Sequence, residues 1–404
     1  MEFNEFDLDP RCLRVLEKQG IKEPTPIQEQ TIRLVLEGKD VVGLAQTGTG
    51  KTLAYTLPTL TRIAQGKVEK NQVLILSPTR ELTNQVQQVV RDIGKAMRVR
   101  SVCIYGGAPM GKQTDELKKG CAVIVATPGR LLDHMSRGHI NFGKLDTLIL
   151  DEADRMLDMG FLPDIQRILS KLPKERQTLM FSATFPDDLK KLTRTMMNEP
   201  EWIQVGQVHK PVDKVDQTLY TVKPEDKYRL LEKVLEENQI HSALIFARTR
   251  SRTDQVHKFL KRKGYKATGI HGDHSQGLRE RSLKGFKDGK HTILVATDVA
   301  ARGLDVDHIS HVINFDVPQT SDDYLHRIGR TARANAEGNA MTFVTPSEYE
   351  PLATIERALG RNLPRQDWDG AAPVLSLFKE GNRKQGAKRS ARRGSRRRAP
   401  MRRR

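Results

Sequence analysis

The sequence predicts an α/β protein of two tandem domains, each a mainly parallel sheet flanked by helices, with a disordered basic C-terminal tail. Three observations predict it. Short β-branched or apolar runs alternate with helix-like segments, the pattern of parallel strands covered on both faces. The alternation breaks at a polar stretch, residues 206–216, and then restarts. After Trp368 the composition shifts to Gly, Ala, Ser, Lys and Arg. A chain of 404 residues has room for two or three domains of ~100–200 residues. Its apolar residues (37%) and 30 glycines bring it close to the globular norm of ~45–50%. Wholesale disorder is excluded.

In the first domain (1–205), strands are expected at Asp40–Ala45, Val73–Ser77, Val99–Tyr105, Ala122–Ala126, Thr147–Leu150 and Thr178–Phe181. A helix is expected at Glu81–Gly94. Residues 206–216 read as a linker. The second domain (217–368) repeats the grammar at Ala243–Phe246, Ala267–Ile270, Thr292–Ala296, His311–Asn314 and Ala340–Val344. Residues 369–404 cannot bury enough apolar surface to offset ordering entropy and read as a disordered tail. Within it, Lys379–Arg404 holds 13 Lys/Arg and one Glu, so it carries +12 of the chain's net +18. Such a tail seeks phosphate-rich partners or an anionic membrane, and it also fits a nuclear-localisation pattern. It has no aromatic residue to stack on bases, so tethering RNA by charge is the preferred role.

Cys12, Cys103 and Cys121 are scattered and form no metal or disulfide pattern, which fits a reducing compartment. The acidic start MEFNEFDLDP lacks a secretory n-region, and no run approaches ~20 apolar residues. A soluble cytoplasmic protein is expected.

Chemistry concentrates at strand ends. Ala45-Gln46-Thr47-Gly48-Thr49-Gly50-Lys51-Thr52 lies between a strand-like and a helix-like segment. This is a phosphate-binding loop in its proper setting. Gly48 and Gly50 let backbone N–H groups close on phosphates, and the helix N-terminus favours their charge. Lys51 can reach terminal phosphates, and the Thr52 hydroxyl can ligate Mg²⁺. Ala45 departs from the strict pattern, which has Gly there. Further on, Asp151-Glu152-Ala153-Asp154 follows the apolar run Leu148–Leu150. Asp151 can hold a Mg²⁺ shell through water. Glu152 can orient and deprotonate an attacking water. Alone, such acids equally well cap a helix.

The phosphate loop, the Asp-Glu-Ala-Asp box and Ser182-Ala183-Thr184, in that order, resemble motifs I, II and III of the DEAD-box RNA helicases. The resemblance covers nearly all of residues 1–345. It implies two RecA-like domains closing over ATP and RNA. Gly20-Ile21-Lys22-Glu23-Pro24-Thr25-Pro26-Ile27-Gln28 resembles the family's Q motif. Gln28 would read an adenine edge through its amide oxygen and nitrogen, which suits adenine and not guanine. Phe3, or Phe6 in its place, would stack on the base.

Pro78-Thr79-Arg80-Glu81-Leu82, Gly106-Gly107 and Thr127-Pro128-Gly129-Arg130 look like motifs Ia, GG and Ib. Their small, hydroxyl and Arg groups suit backbone contacts rather than base reading. Pro78, Thr79, Arg80, Gly107, Thr127, Gly129 and Arg130 are therefore expected RNA contacts. Thr83 stands where the family usually has Ala, which puts the local helix packing in question.

In the second domain, Ile245–Thr249 resembles motif IV, with Arg248 and Thr249 toward RNA. Gln276-Gly277-Leu278-Arg279 fits Q-x-x-R. Thr297, Arg302 and Gly303 would lie near RNA phosphates, and Asp305 near the ATP ribose. His326-Arg327-Ile328-Gly329-Arg330-Thr331-Ala332-Arg333 resembles motif VI. Arg330 and Arg333 would act as arginine fingers on the γ-phosphoryl group. Read singly, Arg327, Arg330 and Arg333 are also a solvated basic stripe. Asp154, Ser182, Thr184 and His326 would couple the domains.

The resemblance implies an ATP-dependent RNA helicase with ATP and Mg²⁺ as cofactors. It would unwind short duplexes locally and remodel RNA–protein complexes, with bacterial, RhlE-like members nearest. Structured or duplex RNA and ribosomal or RNA-decay assemblies are the expected partners, with no membrane partner and a monomeric state. Two rival readings are a DNA translocase of superfamily 2 and an RNA clamp or annealing protein with weak ATPase. RNA against DNA stimulation of ATP turnover separates them.

Overall fold

The structure, a computed structural model, describes residues 2–46, 48–66, 73–205, 215–238, 240–301, 309–331 and 338–372. Thr47, Arg302, Gly303, Asp305, Arg333, positions 206–214 and the basic segment Lys379–Arg404 lie outside the described residues.

The first sheet has seven parallel strands: β1 (Val41–Leu44), β2 (Val73–Leu76), β3 (Ser101–Ile104), β4 (Val123–Ala126), β5 (Thr147–Asp151), β6 (Gln177–Ser182) and β7 (Glu201–Gln204). Their spatial order is β3-β4-β2-β5-β6-β1-β7. Successive side chains point to opposite faces. Val41, Ile75, Val125, Ile149 and Phe181 therefore enter one core, while Val42, Leu74, Leu76, Ile124 and Leu150 enter another. Burial on both faces is why these strands read as unbroken apolar runs.

The second sheet has six parallel strands: β8 (Val215–Thr221), β9 (Ala243–Phe246), β10 (Ala267–Ile270), β11 (Ile293–Ala296), β12 (His311–Asn314) and β13 (Gly338–Val344). Their order is β10-β11-β9-β12-β13-β8.

Two of the four edge strands, β7 and β8, escape the sequence pattern. Only Ile203 of β7 is buried. In β8 alternate residues Val215, Gln217 and Leu219 turn inward, so polar residues interleave. Val215 and Asp216 thus belong to a strand and not to the linker assigned to 206–216. The tail assignment is also corrected at its start. Trp368 Nε1 donates to the Thr221 carbonyl at 2.7 Å, and the Ala372 N–H reaches the same oxygen at 3.3 Å. These bonds keep residues 369–372 against β8.

The helix expected at Glu81–Gly94 spans Arg80–Met97, with the Thr79 hydroxyl accepting the Leu82 N–H at 3.3 Å. Thr83 is fully buried, and its hydroxyl donates to the Thr79 carbonyl at 2.6 Å. The hydroxyl is satisfied locally, so the helix accommodates it. Among the described residues, no helix is long and apolar enough to cross a membrane.

Strand order places the site. β5, β6 and β1 are neighbours. Their carboxyl ends bring residues 151–154, 182–184, 45–46 and 48–52 together, where open α/β sheets bind ligands. On the same edge, β3, β4 and β2 carry Gly107, Thr127–Arg130 and Pro78–Arg80.

Candidate active site

The phosphate loop is braced from two sides. Lys51, 6% exposed, opens the helix Lys51–Ala64, and its Nζ donates to the Ala45 carbonyl at 2.7 Å. The Ala45 N–H bonds the Ser182 carbonyl at 3.0 Å, tying the loop to β6. Ala45 therefore serves through its backbone. Thr49 Oγ1 closes the turn on the Gln46 carbonyl at 2.8 Å. Gly50 has φ +89°, and a Cβ there would collide with Gln28 Nε2. Only glycine fits both demands.

Gln28 is 2% exposed. Its Oε1 accepts the Thr25 N–H at 2.9 Å, and its Nε2 donates to the Gly50 carbonyl at 3.0 Å. The Q motif and the phosphate loop are therefore one hydrogen-bonded unit. An amide carries two lone pairs and two N–H bonds, so one of each remains for a ligand. Phe3 does not present an open ring: it is 4% exposed and sits in the first-domain core, as does Phe6. The stacking role expected of Phe3 or Phe6 is corrected on this point. Both rings belong to the first-domain core, and the Arg33 guanidinium lies over the Phe6 ring, 5.8 Å from its centroid.

Asp151 ends β5 and accepts the Tyr55 hydroxyl at 3.0 Å. Burial, followed by the neighbouring Glu152 charge, pushes its pKa up to about 6 against the pull of Lys51. A buried carboxylate whose charge is opposed by burial and by a second acid is what a divalent cation fits, and Thr52 lies in the first turn of the helix Lys51–Ala64. Glu152 takes left-handed backbone angles (φ 54°, ψ 55°) and is 7% exposed. Such angles cost a non-glycine residue ~1–3 kcal/mol and mark functional sites. Arg155 contacts Glu152 Oε2 through Nη1.

Asp154 joins the box to residues 182–184. Its N–H donates to Ser182 Oγ at 3.1 Å. Its Oδ2 accepts from the N–H groups of Ala183 (3.1 Å) and Thr184 (2.8 Å) and from Thr184 Oγ1 (3.0 Å). Burial opposes its charge, but Lys51 and the Thr184 N–H outweigh it and hold the pKa below the ordinary carboxylate value. From the second domain, His326 faces this cluster. Burial and the Arg155 charge lower its pKa, with Asp154 opposing. Arg330, 5% exposed, adds its charge at the same place.

Arg327 is no part of a solvated stripe. It is 2% exposed and binds Asp298 bidentately at 2.6 and 2.7 Å, the Asp316 carbonyl at 2.7 Å and Asn314 at 3.1 Å. It fastens the helix Ser321–Ile328 to the end of β11, where Thr297 lies 8% exposed.

The contacts expected for RNA lie at helix starts. Gly107 has φ +80°, and a Cβ there would strike the Arg80 guanidinium. The glycine pair is thus a seat for Arg80. Arg130 Nη1 donates to the Ala108 carbonyl at 2.9 Å, joining the third motif to the second. Thr127 precedes the helix Pro128–Ser136, and Gly129 is exposed in its first turn. Thr249 caps the helix Arg250–Arg262, its Oγ1 accepting the Arg252 N–H at 3.1 Å. Arg248 is exposed but pairs with Glu348 at 2.5 Å. Glu348 also binds buried Lys227 at 3.0 Å. Between the domains, Arg279 Nη2 meets Glu81 Oε1 at 2.8 Å, both side chains 9% exposed.

Sequence reasoning missed Tyr55, Arg155 and Glu81 as partners of Asp151, Glu152 and Arg279. Only the i,i+3 spacing of Glu152 and Arg155 offered a signal.

Fold and site together define a two-domain P-loop nucleotide hydrolase whose second domain completes the first. Residues 25–192 match the DEAD/DEAH box helicase family and 226–335 the helicase conserved C-terminal domain. The chain is 45% identical to the DEAD-box ATP-dependent RNA helicase CshA of Geobacillus kaustophilus, over 95% of this chain and 81% of that protein. Against CshA of Bacillus subtilis it is 44% identical, over 94% and 76%. Among solved structures, S. cerevisiae Dbp5 bound to RNA and ADP–BeF3 matches with a TM-score of 0.79 at 31% identity, covering 90% of this chain and 95% of that one. Mss116p bound to ssRNA and AMP-PNP matches at 0.80 and 30%, covering 91% and 78%. The chain belongs to the DEAD-box ATP-dependent RNA helicase family. Both of these bacterial relatives carry the name CshA rather than RhlE.

Proposed function

We infer that this chain hydrolyses ATP in response to RNA and uses the cycle to separate short duplexes and remodel RNA–protein complexes. One observation carries the reading. Asp154 ties the acidic box to Ser182–Thr184, and His326 and Arg330 of the second domain face the same cluster. Residues that meet only when two domains close make hydrolysis conditional on closure.

ATP fits with its phosphates on Gly48–Lys51 and its adenine toward the free half of the Gln28 amide. Mg²⁺ would be held by Thr52 and Asp151, and it supplies charge neutralisation at the β- and γ-phosphates. Glu152, fixed by its backbone and by Arg155, takes the proton of the attacking water. Arg330, with Arg333, stabilises the transferring phosphoryl group. RNA lies along Pro78–Arg80, Gly107, Thr127–Arg130 and Arg248–Thr249, held by its backbone. RNA and ATP therefore favour the same closed arrangement, a coupling free energy between two sites. A monomer acting in the cytoplasm on ribosomal or RNA-decay assemblies fits this reading.

Comparing ATP turnover with RNA, with DNA and with neither tests it. RNA alone should stimulate. Glu152→Gln should lower stimulated turnover by ~10²-fold or more while ATP-dependent RNA binding persists. Equal stimulation by DNA, or near-normal turnover in the variant, refutes the assignment.

A further inference from the structure

A cluster of metal-ligating groups lies in the second domain, at the carboxyl end of β10. Asp254 is on the helix Arg250–Arg262, and His271 and His274 are on the turn that follows β10. One ligand atom from each of the three lies within 4.8 Å of the other two. His271 is 5% exposed, and its Nε2 is 3.1 Å from Asp254 Oδ1. The two imidazole rings sit 3.7 Å apart, centroid to centroid. The turn is braced: the His274 N–H bonds the His271 carbonyl at 3.1 Å, and the Asp273 N–H reaches His271 Nδ1 at 3.3 Å.

A second observation points to a ligand. His274 Nδ1 is buried without a hydrogen-bond partner. A buried polar atom left unpaired costs ~1–3 kcal/mol. The two imidazoles are tilted 41° to each other beside the Asp254 carboxylate, and a cation of the right kind supplies the partner that His274 Nδ1 lacks.

We propose that Asp254, His271 and His274 form a binding site for a zinc-class divalent cation. Two imidazoles and one carboxylate suit Zn²⁺, Co²⁺ or Ni²⁺ rather than Mg²⁺, which prefers an all-oxygen shell. Donors at ~2.0–2.1 Å around tetrahedral zinc sit roughly 3.3 Å from one another. The separations here, from 3.1 Å to at most 4.8 Å, need only small side-chain movements. Asp254 is 43% exposed on its side chain, so water can enter and fill the fourth position. The site joins the turn before the helix Gln276–Lys287 to the helix that follows Arg248 and Thr249. The first of these helices carries Arg279 to Glu81. The cation would therefore anchor the segment that carries Arg279 to Glu81.

The experiment uses the untagged full chain, stripped with a chelator and titrated with Co²⁺ and then with Zn²⁺ in competition. Four-coordinate Co²⁺ gives intense visible absorption, and the expected result is one Co²⁺ per chain, displaced by one Zn²⁺. His274→Leu and Asp254→Asn should each weaken binding by at least ~10-fold. His139→Gln, which alters the His134–His139 pair of the first domain, should leave it unchanged. Melting of the variants in chelator, within ~2 °C of the parent, shows that they fold. No stoichiometric binding by the parent, or binding undiminished in both site variants, overturns the proposal.

Discussion

Replacing Asp151 by Asn should abolish ATP turnover and yet make the first domain more stable. The carboxyl is 4% exposed and holds its proton until about pH 6, because burial and Glu152 oppose its charge. In the unfolded chain it would lose that proton near the ordinary value of 3.8. Between the two values the folded state binds more protons than the unfolded one, so stability falls as pH rises. At ~1.4 kcal/mol per pH unit, the interval from 3.8 to about 6 amounts to a loss of about 3 kcal/mol, present in full above pH 6. In Asp151→Asn there is no charge to bury, and the amide oxygen can still accept the Tyr55 hydroxyl. The variant should match the parent near pH 4 and exceed it by up to ~3 kcal/mol at pH 7.5. Urea unfolding without nucleotide or Mg²⁺ measures this. Trp202 on β7 reports the first domain once Trp368 is replaced by Phe. A difference that does not grow with pH, or a variant less stable throughout, would refute the electrostatic account.

Other outcomes follow from the same geometry. Arg279→Glu should raise the RNA concentration needed for half-maximal ATPase, and the exchange Glu81→Arg with Arg279→Glu should recover much of it. If the double variant does no better than the single one, the pair does not guide closure. Gln28→Ala should raise KM for ATP and narrow the preference for ATP over GTP; an unchanged preference would show that the Gln28 amide only braces Gly50. Removing Lys379–Arg404 should weaken RNA affinity and flatten its salt dependence, by about 0.7 in log–log slope per lost phosphate contact. Equal slopes for both forms would exclude the tail from RNA.

What the sequence discloses and what it conceals divide along a physical line. The phosphate loop is legible because its pattern is local: Gly48, Gly50, Lys51 and Thr52 lie within about one turn of chain between β1 and the helix Lys51–Ala64. The inner strands are legible because both of their faces are buried. β7 and β8 are not, because an edge strand with a single buried face needs few apolar residues, as Ile203 alone shows. Phe3 misleads for the converse reason. An aromatic ring at the right spacing serves a core as well as a base, and only packing decides between them.

Contacts between distant segments leave no local trace. Nothing in Pro78–Leu82 announces that Glu81 will meet Arg279, or in Lys51–Ala64 that Tyr55 will reach Asp151. These long-range pairs are also the ones that join the acidic box to the phosphate-loop helix and one domain to the other. Each strand end contributes a group that is chemically ordinary alone: a capped turn, a carboxylate, a hydroxyl. Asp154 converts proximity into linkage, because one oxygen accepts three hydrogen bonds from residues 183 and 184 while the same residue's N–H holds Ser182. Glu152 lies two positions before it, in a backbone conformation that helix packing must maintain. A shift at the end of β6 therefore cannot leave Glu152 where it was. The proposed RNA contacts at the ends of β2–β4 and the phosphate loop after β1 share one sheet edge with this linkage, and Arg279, His326 and Arg330 of the second domain bear on it. On the proposed function, ATP on the phosphate loop and RNA on the β2–β4 ends would each favour the closed pair of domains, and catalytic competence would belong to that pair.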